Sequence, residues 1–263
     1  MLAIRTYQPK QYSDLIERIW ILETGDEPSD VIVPPSQYLQ LIVPLEGSNY
    51  NRNGKTVNKM IVEGISLQTN CVHYPAGTKL MGIRFYPFGM YPFLSYEGKD
   101  LLNEMIEVSL PENYSFSVDK DEVLLNEVYL LLEELYDEAA HQKIKILKEY
   151  YQTARWSDDS LSIEEYCKLN GTNYTTLNRK FRQITGLSTK KFERLVKFRK
   201  SLCKLIDSED QLTSIGVDSG YFDQAHFIRE FKLFLNCTPS TYQSLIQSAD
   251  EDTKIINYNF RLF

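Results

Sequence analysis

Residues 177–192 and residues 227–242 carry one pattern twice, at an offset of fifty: Leu177, Arg179, Phe181, Gly186, Ser188 and Phe192 recur as Phe227, Arg229, Phe231, Asn236, Thr238 and Tyr242. An internal repeat constrains a fold more tightly than composition does, because both copies must build the same unit. In each copy the apolar residues share one helical face, and a residue tolerant of the left-handed conformation follows, so the unit is a helix ending in a tight turn. Each copy also sets an arginine on its polar side. Two equivalent elements suit a ligand that itself repeats, and duplex DNA, whose major groove returns every helical turn, is such a ligand.

The chain of 263 residues is long enough for two domains, each with a core. Its formal net charge of −7 argues against a nucleic-acid partner only until it is divided along the chain. Residues 1–154 hold 13 Lys and Arg against 22 Asp and Glu, whereas residues 155–247 hold 14 against 11. Residues 168–206 alone hold 11 basic residues and one acidic one, a basic stripe across and just after the first copy. Cys71, Cys167, Cys203 and Cys237 are widely spaced, with no CxxC, as suits a reduced cytoplasmic protein. Residues 1–13 carry charges and a proline where a signal peptide would be apolar, so secretion is not expected. The most apolar helical candidate, residues 123–135, is short and interrupted by Asn126, Glu127, Glu133 and Glu134, so no membrane partner is expected either.

The first hundred residues read as strand-rich. Residues 38–45 (YLQLIVPL), 60–62 and 79–86 (KLMGIRFY) mix β-branched, aromatic and polar residues, separated by turn formers such as Pro34-Pro35, Asn53-Gly54 and Pro75-Ala-Gly77. They predict a small sheet or partial barrel. Over residues 119–151, Val123, Leu124, Val128, Leu131, Leu132, Leu135, Tyr136 and Ala139 recur at helical spacing behind an acidic first turn, which predicts one long helix, or two with a break near residues 139–142. The apolar stripe of residues 124–135 either packs on that sheet or pairs with a second subunit. Residues 153–160 (TARWSDDS) have no apolar period and read as a linker. The organisation expected is an α+β amino-terminal domain over residues 1–152, the linker, an all-α domain over residues 161–247 and a tail over residues 248–263.

In the all-α part, Ser162-Ile-Glu-Glu165 is a capping box that starts a helix, and Asn173 starts the next. On that second helix Leu177, Phe181 and Ile184 share one face, and Thr175, Asn178, Arg179 and Arg182 share the opposite one. Gly186 ends it. A longer helix over about residues 190–206, with Phe192, Leu195, Val196, Leu202 and Leu205 inward, spaces the two units, after which residues 215–219, Gly220 and residues 223–234 repeat the order of helix, turn, helix.

The second unit reads Ile215-Gly-Val-Asp-Ser-Gly-Tyr-Phe-Asp-Gln-Ala-His-Phe-Ile-Arg-Glu-Phe-Lys232, followed by Thr238-Pro-Ser-Thr-Tyr242. This resembles the signature of the AraC/XylS family of bacterial transcription regulators: Ile-Ala, then Gly-Phe, then Asp-Gln-Ser-His/Tyr-Phe-x-Arg-x-Phe-Lys, then Ser-Pro and Tyr. Nine or more positions agree in type at fixed spacing. The resemblance runs over about residues 161–245, and the first unit matches the partner motif Leu-x-Arg-x-Phe with Thr-Gly beyond it. Gly216 stands where alanine is usual, Thr189 where proline usually follows serine, and Asn236 where glycine is common. These departures are expected to act on packing and turns more than on contacts.

The resemblance implies a sequence-specific regulator of transcription, double-stranded DNA as partner, and two helices in successive major grooves about 34–36 Å apart. The side chains fit that chemistry: Asn and Gln pair bidentately with adenine, Arg with guanine, and basic residues grip phosphate. The expected DNA-binding residues are Tyr174, Thr175, Asn178, Arg179 and Arg182 in the first unit and Gln224, Ala225, His226, Arg229 and Lys232 in the second. Ile228 cannot read a hydrogen-bonding edge, so the first unit is expected to discriminate more. The plainer reading of Arg179 and Arg229 is a surface salt bridge. Lys190, Lys191, Arg194, Lys197, Arg199 and Lys200 on the spacer helix are either a solvated face or a source of phosphate attraction that salt weakens.

In the family, the amino-terminal domain binds a small effector, dimerises, or both, so a small-molecule effector, a second copy of the chain and RNA polymerase join DNA as partners that the resemblance implies. Arg84 is a candidate anchor for an anionic effector, against the alternative of an internal salt bridge with Phe85, Tyr86, Phe88, Tyr91 and Phe93 as core. No cofactor, metal or enzymatic activity is expected: His73, His141 and His226 have no catalytic neighbours, Cys71 and His73 are too few for zinc, and phosphate-loop, HExxH and GxSxG motifs are missing. Cys167 and Cys237 fall at positions the helical pattern makes buried. The alternative to a DNA reader is a ligand-binding or protein-interaction module whose helical domain contacts a partner protein.

Overall fold

The computed structural model describes residues 1–109, 116, 120–156, 162–207, 211–247 and 253–256. The amino-terminal domain runs through β1 (Leu2–Tyr7), β2 (Ile16–Thr24), β3 (Ser29–Val33), β4 (Leu39–Pro44), β5 (Tyr50–Arg52), β6 (Lys55–Val57), β7 (Ile61–Glu63), β8 (Asn70–Tyr74) and β9 (Lys79–Phe85). A short helix α1 (Gly98–Leu101) and β10 (Met105–Glu107) precede α2 (Asp121–Leu135) and α3 (Glu138–Trp156). The helical domain comprises α4 (Ile163–Leu169), α5 (Tyr174–Thr185), α6 (Thr189–Asp207), α7 (Leu212–Asp218), α8 (Gln224–Leu235) and α9 (Pro239–Gln247), and β11 (Thr253–Ile255) follows. The two-domain plan, strand-rich and then helical, is the one expected.

The sheet is larger than expected. Six strands in the order β1-β2-β9-β4-β7-β10 face five in the order β11-β3-β8-β5-β6. Trp20, Leu22, Ile42 and Leu80 point from the larger sheet into the space between the two, where they meet Val31, Tyr50, Val72 and Tyr74 of the smaller one. Ile19, Ile21, Leu41, Val43, Met81 and Ile83 point the other way, towards Leu124, Val128, Leu132, Ile144 and Leu147 of α2 and α3. A strand covered on both faces loses the period-two alternation that reports a single buried face. Gly82 allows this layering, since a Cβ there would lie 2.1 Å from the Trp20 ring. The β5–β6 hairpin turns on Asn53 and Gly54, both at positive φ (48° and 85°), as the Asn-Gly pair predicts.

The break between α2 and α3 falls at Tyr136 and Asp137, earlier than expected, because Tyr136 is extended (φ −71°, ψ 128°) and Asp137 Oδ1 accepts from the amide of Ala139 at 2.8 Å. The stripe of α2 packs on its own core, with Leu124, Val128, Leu131 and Leu132 all buried. Helix α3 continues through residues 153–156 of the segment read as linker, and residues 157–160 lie outside the described residues. The tail is corrected in part: residues 253–255 form a strand of the smaller sheet, while residues 248–252 and 257–263 lie outside the described residues.

The two domains share one continuous apolar core. Tyr150 of α3 lies edge-on to Tyr166 and Phe181, with ring centroids at 5.2 and 5.6 Å, and Tyr151 meets Phe192 at 5.9 Å. Gly98 and Gly186 touch backbone to backbone, since a Cβ on Gly186 would lie 2.5 Å from the Gly98 carbonyl oxygen. The first helix-turn-helix unit is therefore seated directly on the amino-terminal domain.

Candidate nucleic-acid interface

Each unit places its second helix by the same local devices. In the first, the Ser162–Glu165 capping box forms reciprocally, with Ser162 N donating to Glu165 Oε2 at 2.8 Å and Glu165 N to Ser162 Oγ at 3.3 Å. Asn173 then caps α5, its Oδ1 accepting from Thr176 N at 3.1 Å, and Gly186 closes the helix in the left-handed region at φ 74°. In the second, Asp223 caps α8 by accepting from His226 N at 2.6 Å, and Asn236 takes the left-handed position at φ 57°. Both helices begin and end at the same offset of fifty, so the repeat read from the sequence is a structural one.

Leu177, Phe181 and Ile184 of α5, and Phe227 and Phe231 of α8, are buried. Tyr174, Thr175, Arg179 and Arg182 are exposed on α5, and Gln224, Ala225, Arg229 and Lys232 on α8. Among the contact residues named from sequence, two are half-buried rather than exposed. Asn178 is half-buried, and its Oδ1 accepts from both Thr189 N (3.2 Å) and Thr189 Oγ1 (3.3 Å) at the start of α6. His226 is half-buried and lies edge-on to Tyr221, with centroids at 5.4 Å. Gln224 Oε1 accepts from Thr213 Oγ1 at 3.1 Å, and Ile228 is half-buried. The departure at Thr189 thus reaches Asn178, one of the residues expected to contact DNA, as well as the turn. At Gly216 the effect is packing, because a Cβ there would lie 3.1 Å from that of Phe227.

The basic stripe of α6 is not one solvated face. Arg199 is buried, donates from Nη1 to the carbonyl of Pro35 at 2.9 Å, and has its pKa pushed down to about 10 by burial. It falls four residues after Leu195 and three before Leu202, an apolar-face position that its spacing could have revealed. Arg194 grips Glu230 with two bonds of 2.7 and 3.0 Å, and Lys197 donates to Gly220 O at 3.3 Å. Lys190 and Lys191 remain exposed at the start of the helix. Between α6 and α8 runs an open groove of about 500 Å³, lined by Lys190, Glu193, Arg194, Lys197, Tyr221, His226 and Glu230.

Sequence reasoning passed over Glu193. Its Oε1 accepts from Tyr150 Oη at 2.7 Å and from Ile163 N at 2.9 Å, so one carboxylate joins α3, the start of α4 and α6. A single acid in a basic run is the signal that could have drawn attention to it.

In the amino-terminal domain Arg84 occupies an internal ion pair. It is buried, its Nε donates to Glu17 Oε2 at 2.8 Å, and its guanidinium lies 4.7 Å over the Tyr38 ring. Burial lowers its pKa to about 10, against the opposing pull of Glu17. Phe85, Phe88 and Phe93 are core, while Tyr86 and Tyr91 are half-buried. Cys71 is exposed, His73 Nδ1 lies 2.9 Å from Asp30 Oδ1, Cys167 is buried and Cys237 half-buried. Among the described residues no group of three or more His, Cys, Asp or Glu side chains could hold a metal, and no helix is long and apolar enough to cross a membrane.

Comparison with known proteins matches two family models. Residues 166–244 match a helix-turn-helix domain, and residues 5–107 match a domain of unknown function (DUF6597). The uncharacterized HTH-type transcriptional regulators SAS0078 and SAR0107, of Staphylococcus aureus strains MSSA476 and MRSA252, are each 24% identical over 102 residues, 39% of this chain and 14% of theirs. The chain thus spans 14% of the length of these curated relatives. Among solved structures, ToxT from Vibrio cholerae aligns over 93% of this chain and 98% of its own, with 13% identity and a TM-score of 0.43. An AraC-type regulator from Chromobacterium violaceum covers 43% of this chain and 100% of its own, with 16% identity and a TM-score of 0.37. The helix-turn-helix match over residues 166–244 encloses the duplicated motif on α5 and α8, the part of the chain whose sequence resembles the AraC family of transcriptional regulators.

Proposed function

We propose that this chain regulates transcription by sequence-specific binding to double-stranded DNA, laying α5 and α8 in successive major grooves about 34–36 Å apart. The observation that supports it most is the equivalence of the two exposed faces: Arg179 matches Arg229, and Arg182 matches Lys232, each outside the buried stripe of its helix. In this reading Arg179 and Arg229 pair with guanine edges, while Arg182 and Lys232 hold phosphate. Tyr174 and Thr175 at the start of α5, and Gln224, Ala225 and His226 at the start of α8, approach base edges. Asn178 reads through its amide nitrogen while its oxygen holds α6. The regulatory unit is residues 1–152 and the reading unit residues 161–247. The regulator acts without a cofactor or a catalytic step, and its further partners are RNA polymerase, a small-molecule effector and a second copy of the chain.

Selection of bound sequences from a random duplex pool tests the reading. Arg179→Ala and Arg229→Ala are each expected to weaken a selected site by about 1–3 kcal/mol and to relax the preference at one position. Unchanged affinity and specificity in both variants would sink the proposal. A second reading, in which the helical domain docks on a protein, draws support from Phe222 and Leu233 of the second unit, which are 89% and 62% exposed. Salt separates the two: duplex binding that falls steeply with added salt favours DNA, and a stable protein complex with no duplex binding at low salt favours the other.

A further inference from the structure

The carboxyl-terminal strand joins parts of the molecule that the helix-turn-helix units do not need joined. Helix α9 ends at Gln247, and β11 then pairs in parallel with β3, setting Lys254 opposite Val31 and Ile255 opposite Ile32. The amide of Ile256 donates to Ile32 O at 3.0 Å. This covers an edge of the smaller sheet that would otherwise present unpaired backbone groups. Ile255 is fully buried in the larger core, while Ile256, on the opposite face of the strand, enters the cluster between the sheets.

Ile256 there forms part of the wall of a cavity of about 50 Å³, together with Trp20, Gln40, Tyr50, Arg52 and Glu63. That space holds a few water-sized groups. Arg52 and Glu63 form a buried ion pair and cancel each other's charge. Gln40 links the Trp20 indole (3.0 Å) to Glu63 (3.3 Å). The Tyr50 hydroxyl is buried with no hydrogen-bond partner among the described residues. An orphaned buried hydroxyl is costly, and a bound group that satisfied it would recover that cost.

We propose that β11 is a removable wall of this cavity: residues 253–256 dock to close it, and release to admit a compact neutral molecule carrying a hydrogen-bonding group. The docked strand is poised for release. The burial of two isoleucines and one short parallel pairing opposes the ordering of four residues, and the two effects are of similar size. Release also acts on the helical domain. Six Cα steps separate Gln247 from Thr253, so a docked β11 holds the end of α9 within about 20 Å of the sheet edge. Opening the cavity and loosening the second unit are then one event. The inference rests on this geometry and not on the DNA-binding reading, so either can fail alone.

Hydrogen exchange on the unaltered full chain, followed by mass spectrometry, tests it first. The amides of residues 253–256 are expected to exchange at least about a hundredfold faster than those of β2 and β9, as a strand that opens by itself would. Exchange at the same rate as β2 and β9 would make β11 a fixed strand and overturn the proposal. Acrylamide, itself a compact neutral amide, then probes the cavity by quenching Trp20 in a Trp156→Phe background. Ile256→Asp is expected to raise that quenching several-fold while the far-ultraviolet circular dichroism stays unchanged. No rise in a folded variant would show that Ile256 does not guard the cavity. If Ile256→Asp fails to fold, Ile256→Ala takes its place in the quenching experiment, and the exchange result stands regardless.

Discussion

The two helix-turn-helix units share a plan and differ in what holds them. The first is fixed from outside itself: α1 meets the end of α5 through the Gly98–Gly186 contact, Tyr150 packs on Phe181, and Glu193 ties α3 to α4 and α6. The second is held mainly from within the helical domain, where Phe198 stacks on Phe234 at 4.5 Å, Phe231 meets Tyr242 at 5.8 Å and Arg194 pairs with Glu230. Repeated sequence therefore specifies how a unit folds but not how rigidly it is mounted. A first unit seated on the amino-terminal domain and a second mounted mainly on its own domain follow from the neighbours that each helix acquires.

The strongest way to break this contrast is at the equivalent left-handed residues. Gly186→Ala combines strain at φ 74° with a Cβ placed 2.5 Å from the Gly98 carbonyl, so it is expected to cost about 2–5 kcal/mol in urea denaturation. Asn236 sits at φ 57° and is exposed. Asn236→Ala is expected to cost about 1 kcal/mol, and Asn236→Gly close to nothing. Equal losses for Gly186→Ala and Asn236→Ala would mean that the interface with α1 adds nothing to the first unit.

A smaller effect separates the leading helices. Helix α4 begins with a complete capping box, whereas α7 begins at Gln211 with no side-chain cap. Ser162→Ala is expected to cost about 1 kcal/mol, and Gln211→Ser to gain roughly 0.5–1 kcal/mol. Acid adds a directional check. The hydrogen bonds from the Ser162 hydroxyl and then the Ser162 amide hold the Glu165 carboxyl below its ordinary value of 4.5. A carboxyl whose folded pKa is depressed contributes stability above the unfolded pKa and loses it as pH falls through the folded value. Amide exchange in α4 should therefore quicken as pH drops below about 4.5, relative to α7 after correction for intrinsic rates, and the difference should vanish in Ser162→Ala. An unchanged ratio would place the stabilisation of α4 elsewhere.

Those features were legible because they are local. Capping residues, the Asn53-Gly54 hairpin, the left-handed positions at Gly186 and Asn236, and the apolar stripe through Leu177, Phe181 and Ile184 depend on neighbours within a few residues. What escaped depends on distant partners. The doubly buried strands β2, β4 and β9 carry no alternation to report a second sheet. Arg199 reads as a solvated cation until Pro35 supplies its acceptor, and residues 253–255 read as a tail until β3 supplies an edge. Eight of the ten positions named as contacts are exposed, yet the engagement of Asn178 was hidden, because its partner Thr189 belongs to the next helix.

That engagement gives the finest test of the difference between the units. Position 189 opens α6, and its counterpart in the second unit is Pro239, at the start of α9. Thr189 donates its amide and its hydroxyl to Asn178 Oδ1, whereas a proline has no amide to give, and the residue facing Pro239 in the repeat is Ile228. Thr189→Pro converts the first unit to the pattern of the second at this point. The first turn of a helix accepts proline, and the lost hydrogen bonds are offset by a less flexible unfolded chain, so stability should shift by less than about 1 kcal/mol. The carboxamide of Asn178 would be released, with both its oxygen and its nitrogen available to an adenine edge. Binding to a selected site with adenine at that position is expected to tighten a few-fold, and the gain should disappear in an Asn178→Ala background. A gain that survives Asn178→Ala, or no gain at all in a folded variant, would show that Thr189 does not restrain the reading side chain.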